Sequence, residues 1–442
     1  MSVLIRYPIG GSGASEIVQS VERGVREGKL QPGAPLPTVR ALSKELRLSP
    51  ATVAAAYRAL RQRGLVTSDG RRGTRIGQRP PVTARRPATR VPEGLRDLAS
   101  GNPNPAFFPS YRDALAKLKD THVLYGEPAE EPELLELARK QFEDDGIDAK
   151  NLAVLGGALD GIERVLQAHL RPGDKVAVED PGHAGILDLI AALGLVAEPM
   201  PLDDFGPLPD AARQALRRGA LAVILTPRAQ NPTGAALDER RTKDLRKVLD
   251  DFPAVLLIED DHAGPVAGTD AFTLTKGRQK WAVARSVSKS LGPDLRVALL
   301  AGDAETIARV QGRQYIGAGW VSHVLQRLVA ALWKDKRTHR LMRDAERTYA
   351  ERRTALIEAL RTRGIPAFGR SGMSVWIPAA EEAGPLTSLA ALGWAVRAGE
   401  PYRIRSGPAI RVTIATLRED EVERLASDIA SALKPQRRAA TV

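Results

Sequence analysis

Apolar residues recur at two different periods along this chain, and the change of period divides it. From Glu16 to Glu27 the apolar positions Ile17, Val21 and Val25 fall at i, i+4 and i+8, the spacing of one helix face. Thr38 is suited to cap a short helix over Val39 to Leu46, with Val39, Leu42 and Leu46 inward. Ser49 is suited to cap a third helix that opens on Pro50, where a missing N–H costs nothing, and runs to Arg63 with Val53, Ala56 and Leu60 inward. Leu65 to Ser68 and Gly73 to Ile76 read as short strands around Asp69-Gly70, a hairpin signal. Beyond residue 94 the pattern becomes short apolar runs alternating with helical segments. Strands are predicted at Lys175–Val178, Ala220–Leu225, Val255–Ile258, Ala282–Arg285 and Val297–Ala301, and helices at Leu159–Leu170, Gly185–Leu193 and Glu239–Leu249. That alternation predicts a wound α/β sheet with helices on both faces. A long charged helical region covers about Val321 to Arg363, and an α+β tail follows with strands near Ser374–Ile377 and Ile410–Ile414.

Helix, helix, tight turn, helix and hairpin is the order of a winged helix-turn-helix, whose third helix turns its first residues toward the bases of the major groove. Ser49, Ala51 and Thr52 occupy that first turn, Tyr57 and Arg58 fall where phosphates would lie, and Arg71 and Arg72 sit at the hairpin tip. Charge supports this placement. Residues 1–90 hold 17 Lys and Arg against 5 Asp and Glu, which accounts for the whole net charge of +12. A basic head on a neutral body points to nucleic acid or an anionic membrane as its partner; a solvated basic face, or a small helical domain that binds protein, is the plainer alternative. Residues 78–93, QRPPVTARRPATRVPE, lack apolar periodicity and read as a semi-extended tether. The expected organisation is therefore a DNA-binding domain at 1–77, a Pro/Arg-rich linker at 78–94 and a larger domain at 95–442.

Composition removes several chemistries. There are no cysteines, so disulfides, thiolate metal sites and a cysteine nucleophile are excluded, and the six histidines contain no H-x-x-x-H pair. The N-terminal apolar run is four residues long and is followed by glycines, unlike a secretion signal, and no stretch approaches a membrane span. A cytoplasmic protein that joins the nucleoid when bound to DNA is expected.

In the second half, Gly156-Gly157-Ala158 precedes a helix, where free N–H groups can hold a phosphate. Lys289 and Arg296 share one loop: an amine that can condense with an aldehyde and a guanidinium that can grip a phosphate. Glu259-Asp260-Asp261 closes an apolar strand, where a carboxylate could pair with a pyridinium nitrogen. Taken singly, each has an ordinary reading as a helix start, a solvated lysine or a strand end. Together they fit pyridoxal 5′-phosphate.

Two resemblances follow from these residues. LPTVRALSKELRLSPATVAAAYRALRQRGLV with GRRGTRI resembles the DNA-binding module of GntR-type bacterial regulators, which implies that Arg40, Ser49, Thr52, Tyr57 and the wing arginines face DNA. SVSKSLGPDLR, TPRAQNPTG, VEDPGHAG, IEDDHAG and IRVTIA resemble, in order, the cofactor segments of fold-type I aminotransferases. The resemblance implies that Lys289 holds the cofactor covalently, Asp260 pairs with the ring nitrogen and Asn231 bonds the 3′-oxygen. It further implies that Ala158, Ser286 and Arg296 hold the phosphate, that Tyr125 reaches the neighbouring subunit's phosphate and that Arg411 receives a carboxylate. Three positions depart from the pattern. His183 replaces the usual stacking aromatic, His262 replaces a tyrosine, and Glu130 stands where Y-G-x-x-x-G has its second glycine. The combination of both halves resembles the MocR-type regulators, which implies a homodimer. Three readings follow: a regulator sensing pyridoxal phosphate or its amine adduct, a working aminotransferase with an accessory head, and a DNA-binding protein using the body only as a scaffold.

Overall fold

The computed structural model describes residues 7–31, 33–62, 65–68, 73–77, 91–119 and 121–434. The expected linker lies almost entirely outside the described residues, as do Arg71 and Arg72 at the wing tip. The described chain forms two compact units.

The head is built from helices α1 (Ala14–Arg26), α2 (Val39–Leu46) and α3 (Pro50–Gln62) and strands β1 (Val66–Ser68) and β2 (Thr74–Ile76). Its caps act as their sequence suggests. The Thr38 hydroxyl accepts the Ala41 N–H at 3.2 Å and the Ser49 hydroxyl accepts the Thr52 N–H at 3.1 Å, each satisfying a helix-terminal donor that would otherwise be orphaned. The two strands pair antiparallel with Thr67 opposite Arg75. Residues 33–36 run along the outer side of β2, joined by Gly33 N–H to Ile76 O at 2.9 Å and Leu36 N–H to Thr74 O at 2.8 Å. Ile17, Val21, Leu42, Val53, Ala56, Leu60, Val66 and Ile76 close one small core.

Tyr57 corrects an expectation. It is 1% exposed, and its hydroxyl donates to Pro37 O at 2.8 Å, so it belongs to the core and not to a phosphate-facing surface. The reason is periodicity. Val53, Ala56, Tyr57 and Leu60 fall at i, i+3, i+4 and i+7, a single helix face.

The body begins with β3 (Arg96–Asp97), α4 (Tyr111–Leu115), α5 (Pro132–Asp144), β4 (Leu152–Leu155), α6 (Ala158–His169) and β5 (Lys175–Asp180). It continues through α7 (Ala184–Ala192), β6 (Val196–Asp203), β7 (Gly206–Pro207), α8 (Pro209–Arg217), β8 (Ala220–Leu225), α9 (Glu239–Asp250) and β9 (Leu256–Asp261). Then come β10 (Trp281–Ser286), β11 (Ala298–Gly302), α10 (Ala304–Ile316), α11 (His323–Lys334) and α12 (Lys336–Arg361). The tail holds β12 (Ser374–Pro378), α13 (Ala383–Ala391), β13 (Trp394–Ala395), β14 (Arg397–Ala398), β15 (Ala409–Thr413) and α14 (Val422–Ala432).

Eight strands form one sheet in the order β4-β11-β10-β9-β8-β5-β6-β7. β8, β9 and β10 are mutually parallel, whereas β11 runs antiparallel to both of its neighbours. The central strands are buried along their whole length, which explains the apolar runs Leu256–Ile258, Trp281–Ala284 and Ala298–Ala301. α6 and α10 pack together against β4 and β11, and α8 packs with α9 beside β8. The tail makes a second sheet, β12-β15-β14, and β13 pairs with β3. The long charged region is two helices. Asp335 ends one and caps the next, its carboxylate accepting the Thr338 N–H at 3.0 Å.

Tyr57→Ala is expected to destabilise the head by about 3 kcal/mol or more, because it empties a core position. Arg58→Ala, at an exposed position, is expected to stay within about 0.5 kcal/mol. Denaturant unfolding of the two variants checks this; equal effects would contradict the burial of Tyr57.

Candidate functional site

The site in the body lies where β9, β10 and β15 end and adjoining loops converge. β9 closes on three buried acids, and strand alternation turns them to opposite faces. Asp261 lies opposite Arg285 in the β9–β10 register and binds its Nε at 2.7 Å. Arg228 adds a second guanidinium at 2.8 Å, and both arginines also reach Asp145, at 2.9 and 2.5 Å. These charges hold Asp261 far below the usual carboxylate range, overcoming a burial that would raise it. Glu259, on the same face, accepts Leu274 N–H at 2.6 Å and the Thr273 hydroxyl at 2.9 Å. Its burial still pushes it up to about 7.

Asp260 points the other way, opposite Ala284 in the register, whose small side chain leaves space. It is 2% exposed, and its Oδ1 has no hydrogen-bond partner. Its other oxygen lies 3.7 Å from His262 Nδ1. The rings of His262 and His183 are nearly parallel, 15° apart with centroids at 6.4 Å. Burial lowers His183 to about 4, against the pull of Asp260, so its ring is neutral at pH 7.

Lys289 enters a pocket that His262 also lines, together with Gly101, Asn231, Arg411 and Thr413. Its amine donates to Gly101 O at 2.8 Å. Burial, followed by the nearby Arg411 charge, lowers it to about 8, with Asp260 opposing. Arg411 projects from β15 over the Tyr402 ring, its guanidinium carbon 5.1 Å from the centroid. It donates to Asn231 Oδ1 at 3.1 Å and to Ala99 O at 2.5 Å. Gly101 adopts a φ of +73°, and a side-chain carbon there would lie 3.1 Å from the Arg411 guanidinium. Glycine therefore allows the loop to deliver its carbonyl to Lys289 while passing over Arg411.

At the other end, β4 turns into α6 through Gly156 and Gly157. Gly157 sits at a φ of +129°, and a side-chain carbon there would fall 2.3 Å from an Arg296 nitrogen. Arg296 donates to Gly156 O at 2.9 Å. The start of α6 at Ala158, the exposed Arg296 and the Ser286–Ser288 pair, 2.9 Å apart, make a cup of N–H, O–H and guanidinium donors, at whose edge the Asp160 carboxylate accepts the Gly156 N–H at 3.1 Å.

Pyridoxal phosphate fits these residues on observations of the fold itself. The buried, unpartnered Asp260 oxygen needs a proton donor such as a pyridinium nitrogen. The glycine cup suits a phosphate, and Lys289 has lost much of its basicity. Of the expected site residues, Asn231, His262, Lys289 and Arg411 line one pocket; Asp260 and His183 reach it through His262, and Ala158, Ser286 and Arg296 lie at the glycine turn and the strand end beside it. Tyr125 does not; it is 93% exposed, with its ring against Trp320 at 5.5 Å. Sequence reasoning missed Gly101, Thr413 and the Arg228–Asp261–Arg285–Asp145 network. An arginine inside the apolar strand Trp281–Ser286 was a usable signal, because a buried charge demands a partner.

In the head, Arg40, Ser49 and Arg58 are exposed and Thr52 is half-buried; Arg40, Ser49 and Thr52 lie where α2 and α3 begin, and Arg58 lies two turns into α3. Ser49 and Thr52 join hydroxyls at 2.8 Å.

Comparison with known proteins agrees with both halves. Residues 94–429 match the model of aminotransferase class I and II, and residues 14–76 match that of bacterial regulatory proteins of the gntR family. The chain is 40% identical to the vitamin B6 salvage pathway transcriptional repressor PtsJ of Salmonella typhimurium, over 96% of this chain and 99% of that one. The chain is a MocR-type member of the GntR regulators. The regulator is also 28% identical, over 56% of each chain, to the HTH-type pyridoxine biosynthesis transcriptional regulator PdxR of Corynebacterium glutamicum. Its body shares the fold of Pyrococcus horikoshii kynurenine aminotransferase, with a TM-score of 0.72 at 23% identity over 79% of this chain and 93% of that one. Among the described residues no helix is long and apolar enough to cross a membrane, and no group of side chains could hold a metal.

The lowered basicity of Lys289 has a measurable consequence. Uptake of pyridoxal phosphate by the cofactor-free regulator, followed by visible absorbance, is expected to rise with pH around a midpoint near 8 as the amine loses its proton. A midpoint near the ordinary lysine value, about 10.4, would contradict the buried, charge-opposed amine.

Proposed function

We propose that the regulator binds operator DNA through residues 1–77 and responds to pyridoxal phosphate, alone or with an amino compound, at Lys289. The observation that carries this reading is the buried, unpartnered oxygen of Asp260 in the site that holds the Lys289 amine. It belongs to a chain whose other unit presents Arg40, Ser49, Thr52 and Arg58 on a DNA-reading fold. The vitamin B6 circuits in the names of PtsJ and PdxR support B6 metabolism as the regulated process.

When bound, pyridoxal phosphate supplies an aldehyde and an electron-withdrawing ring. The chain's residues do the rest. Lys289 offers an amine that can lose its proton near neutral pH. Asp260 holds the proton on the ring nitrogen, and Asn231 orients the 3′-oxygen while remaining tied to Arg411. Ala158 at the start of α6, Ser286 and Arg296 grip the phosphate. The neutral His183 ring, with His262 nearly parallel to it, would stack on the bound ring. Arg411 receives the carboxylate of an amino-acid effector. Such a ligand moves the regulator between states only through its differential affinity for them.

The reading includes a homodimer. Leu124, Tyr125, Tyr315, Ile316 and Val324 are large apolar side chains left exposed, and Tyr125 meets Trp320 edge to face. A second copy of the body covers them and brings Tyr125 to the partner's phosphate. The same residues could also support transamination, so keto-acid release belongs in the same assay.

The test is titration of a selected operator duplex against wild type and Lys289→Ala, each with and without pyridoxal phosphate and a panel of amino acids. Wild-type affinity is expected to change about tenfold with effector, a typical coupling. Lys289→Ala should keep its basal affinity and lose the change. An unchanged response in the variant would overturn sensing at Lys289, and sustained keto-acid production without any effect on DNA binding would favour the enzyme.

A further inference from the structure

β15 presents Arg411 and Thr413 on one face, two residues apart. Both are buried, at 4% and 5% exposure, and both line the pocket that holds Lys289. Arg411 commits two of its nitrogens, to Asn231 and to Ala99. Its Nε has no partner, and neither does the Thr413 hydroxyl. Thr413 is held in place by its backbone, whose N–H donates to Leu98 O at 2.8 Å. In the β12–β15 register its cross-strand neighbour is Ser374, which lines the same pocket. The remaining walls near β15 are apolar or small: Ala229, Ala263, Val266, Gly372 and Met373.

Two buried donors without acceptors on one strand face carry a cost that a ligand can remove. An unmet buried hydroxyl forfeits about 1–3 kcal/mol. The acceptors Arg411 already has are neutral, so an anionic one would also answer its buried charge, and a carboxylate has two oxygens to share between Nε–H and O–H. We propose that Thr413 is a specificity-determining residue of the effector site, its hydroxyl donating to the same ligand carboxylate that Arg411 binds. The site therefore selects amines that bear a carboxylate over amines of equal size that do not. This rests on the sensing role given to the pocket above, and it adds to the carboxylate recognition given there to Arg411 a second donor that sharpens it.

The experiment uses the full-length regulator loaded with pyridoxal phosphate. Binding of L-alanine and of ethylamine, its counterpart without the carboxylate, is measured by calorimetry and by the visible absorbance of the bound cofactor. Thr413→Val keeps the shape and removes the hydroxyl; Thr413→Ser restores it. Thr413→Val is expected to weaken L-alanine about tenfold, the size of one charge-assisted hydrogen bond, and to leave ethylamine within twofold. Thr413→Ser is expected to recover most of the loss, which a purely structural role would not produce. An unchanged ratio of the two affinities in Thr413→Val, or equal weakening of both ligands, would overturn the assignment. If wild type takes up cofactor but neither amine changes its spectrum or releases heat, the selection rule falls while cofactor binding stands. If wild type takes up no cofactor, the sensing role falls and this assignment with it.

Discussion

Two adjacent carboxylates close the central strand of the body, and burying both is the constraint on which the site depends. An isolated buried carboxylate is costly, so each must be answered. Strand alternation sends them to opposite faces. Asp261 is answered within the protein by Arg228 and Arg285, which Asp145 neutralises in turn. Asp260 has a weak contact to His262 and one oxygen with no partner at all. One acid therefore fixes the ends of β8 and β10, and the other is left as a charge that a ligand can complete.

The rest of the pocket follows from that division. Arg285 is followed by Ser286 and the loop to Lys289, so the network that pairs Asp261 also anchors the segment carrying the amine. Arg228 does the same for the loop to Asn231. The lysine then lies between opposing influences: burial and Arg411 lower its basicity, Asp260 raises it, and the outcome is an amine that titrates at about 8. The tight Gly156-Gly157 turn is held separately, by Arg296 donating to Gly156 O.

Much of this was legible in the chain. The head was readable almost element by element because its signals are local: Thr38 and Ser49 as caps, Pro50 in the first turn, the i, i+4 spacing of α1. Tyr57 was misplaced because its hydroxyl outweighed its position, although the spacing from Val53 to Leu60 already set it inward. The break between α11 and α12 was hidden because Asp335, an N-cap, interrupts a helical pattern without a glycine or proline. The central strands and the residues Lys289, Asp260, Asn231 and Arg411 were found from their motifs. What escaped depends on contacts across long separations. Gly101 serves Lys289 from 188 residues away. Asp145 meets Arg285 across 140 residues, and no periodicity announces either pairing. Thr413 was missed because a single threonine in a strand looks like an ordinary strand former.

The central claim is that Asp260 is kept unpaired for a ligand. The most direct measurement compares Asp260→Asn with wild type in two quantities: unfolding stability without cofactor, and affinity for pyridoxal phosphate by absorbance titration. Removing an uncompensated buried charge should leave the cofactor-free protein as stable as wild type or more so, while cofactor affinity falls about tenfold or more for loss of a charged pair. A cofactor-free variant that is clearly destabilised, with cofactor affinity unchanged, would show that Asp260 serves the fold and would contradict the account.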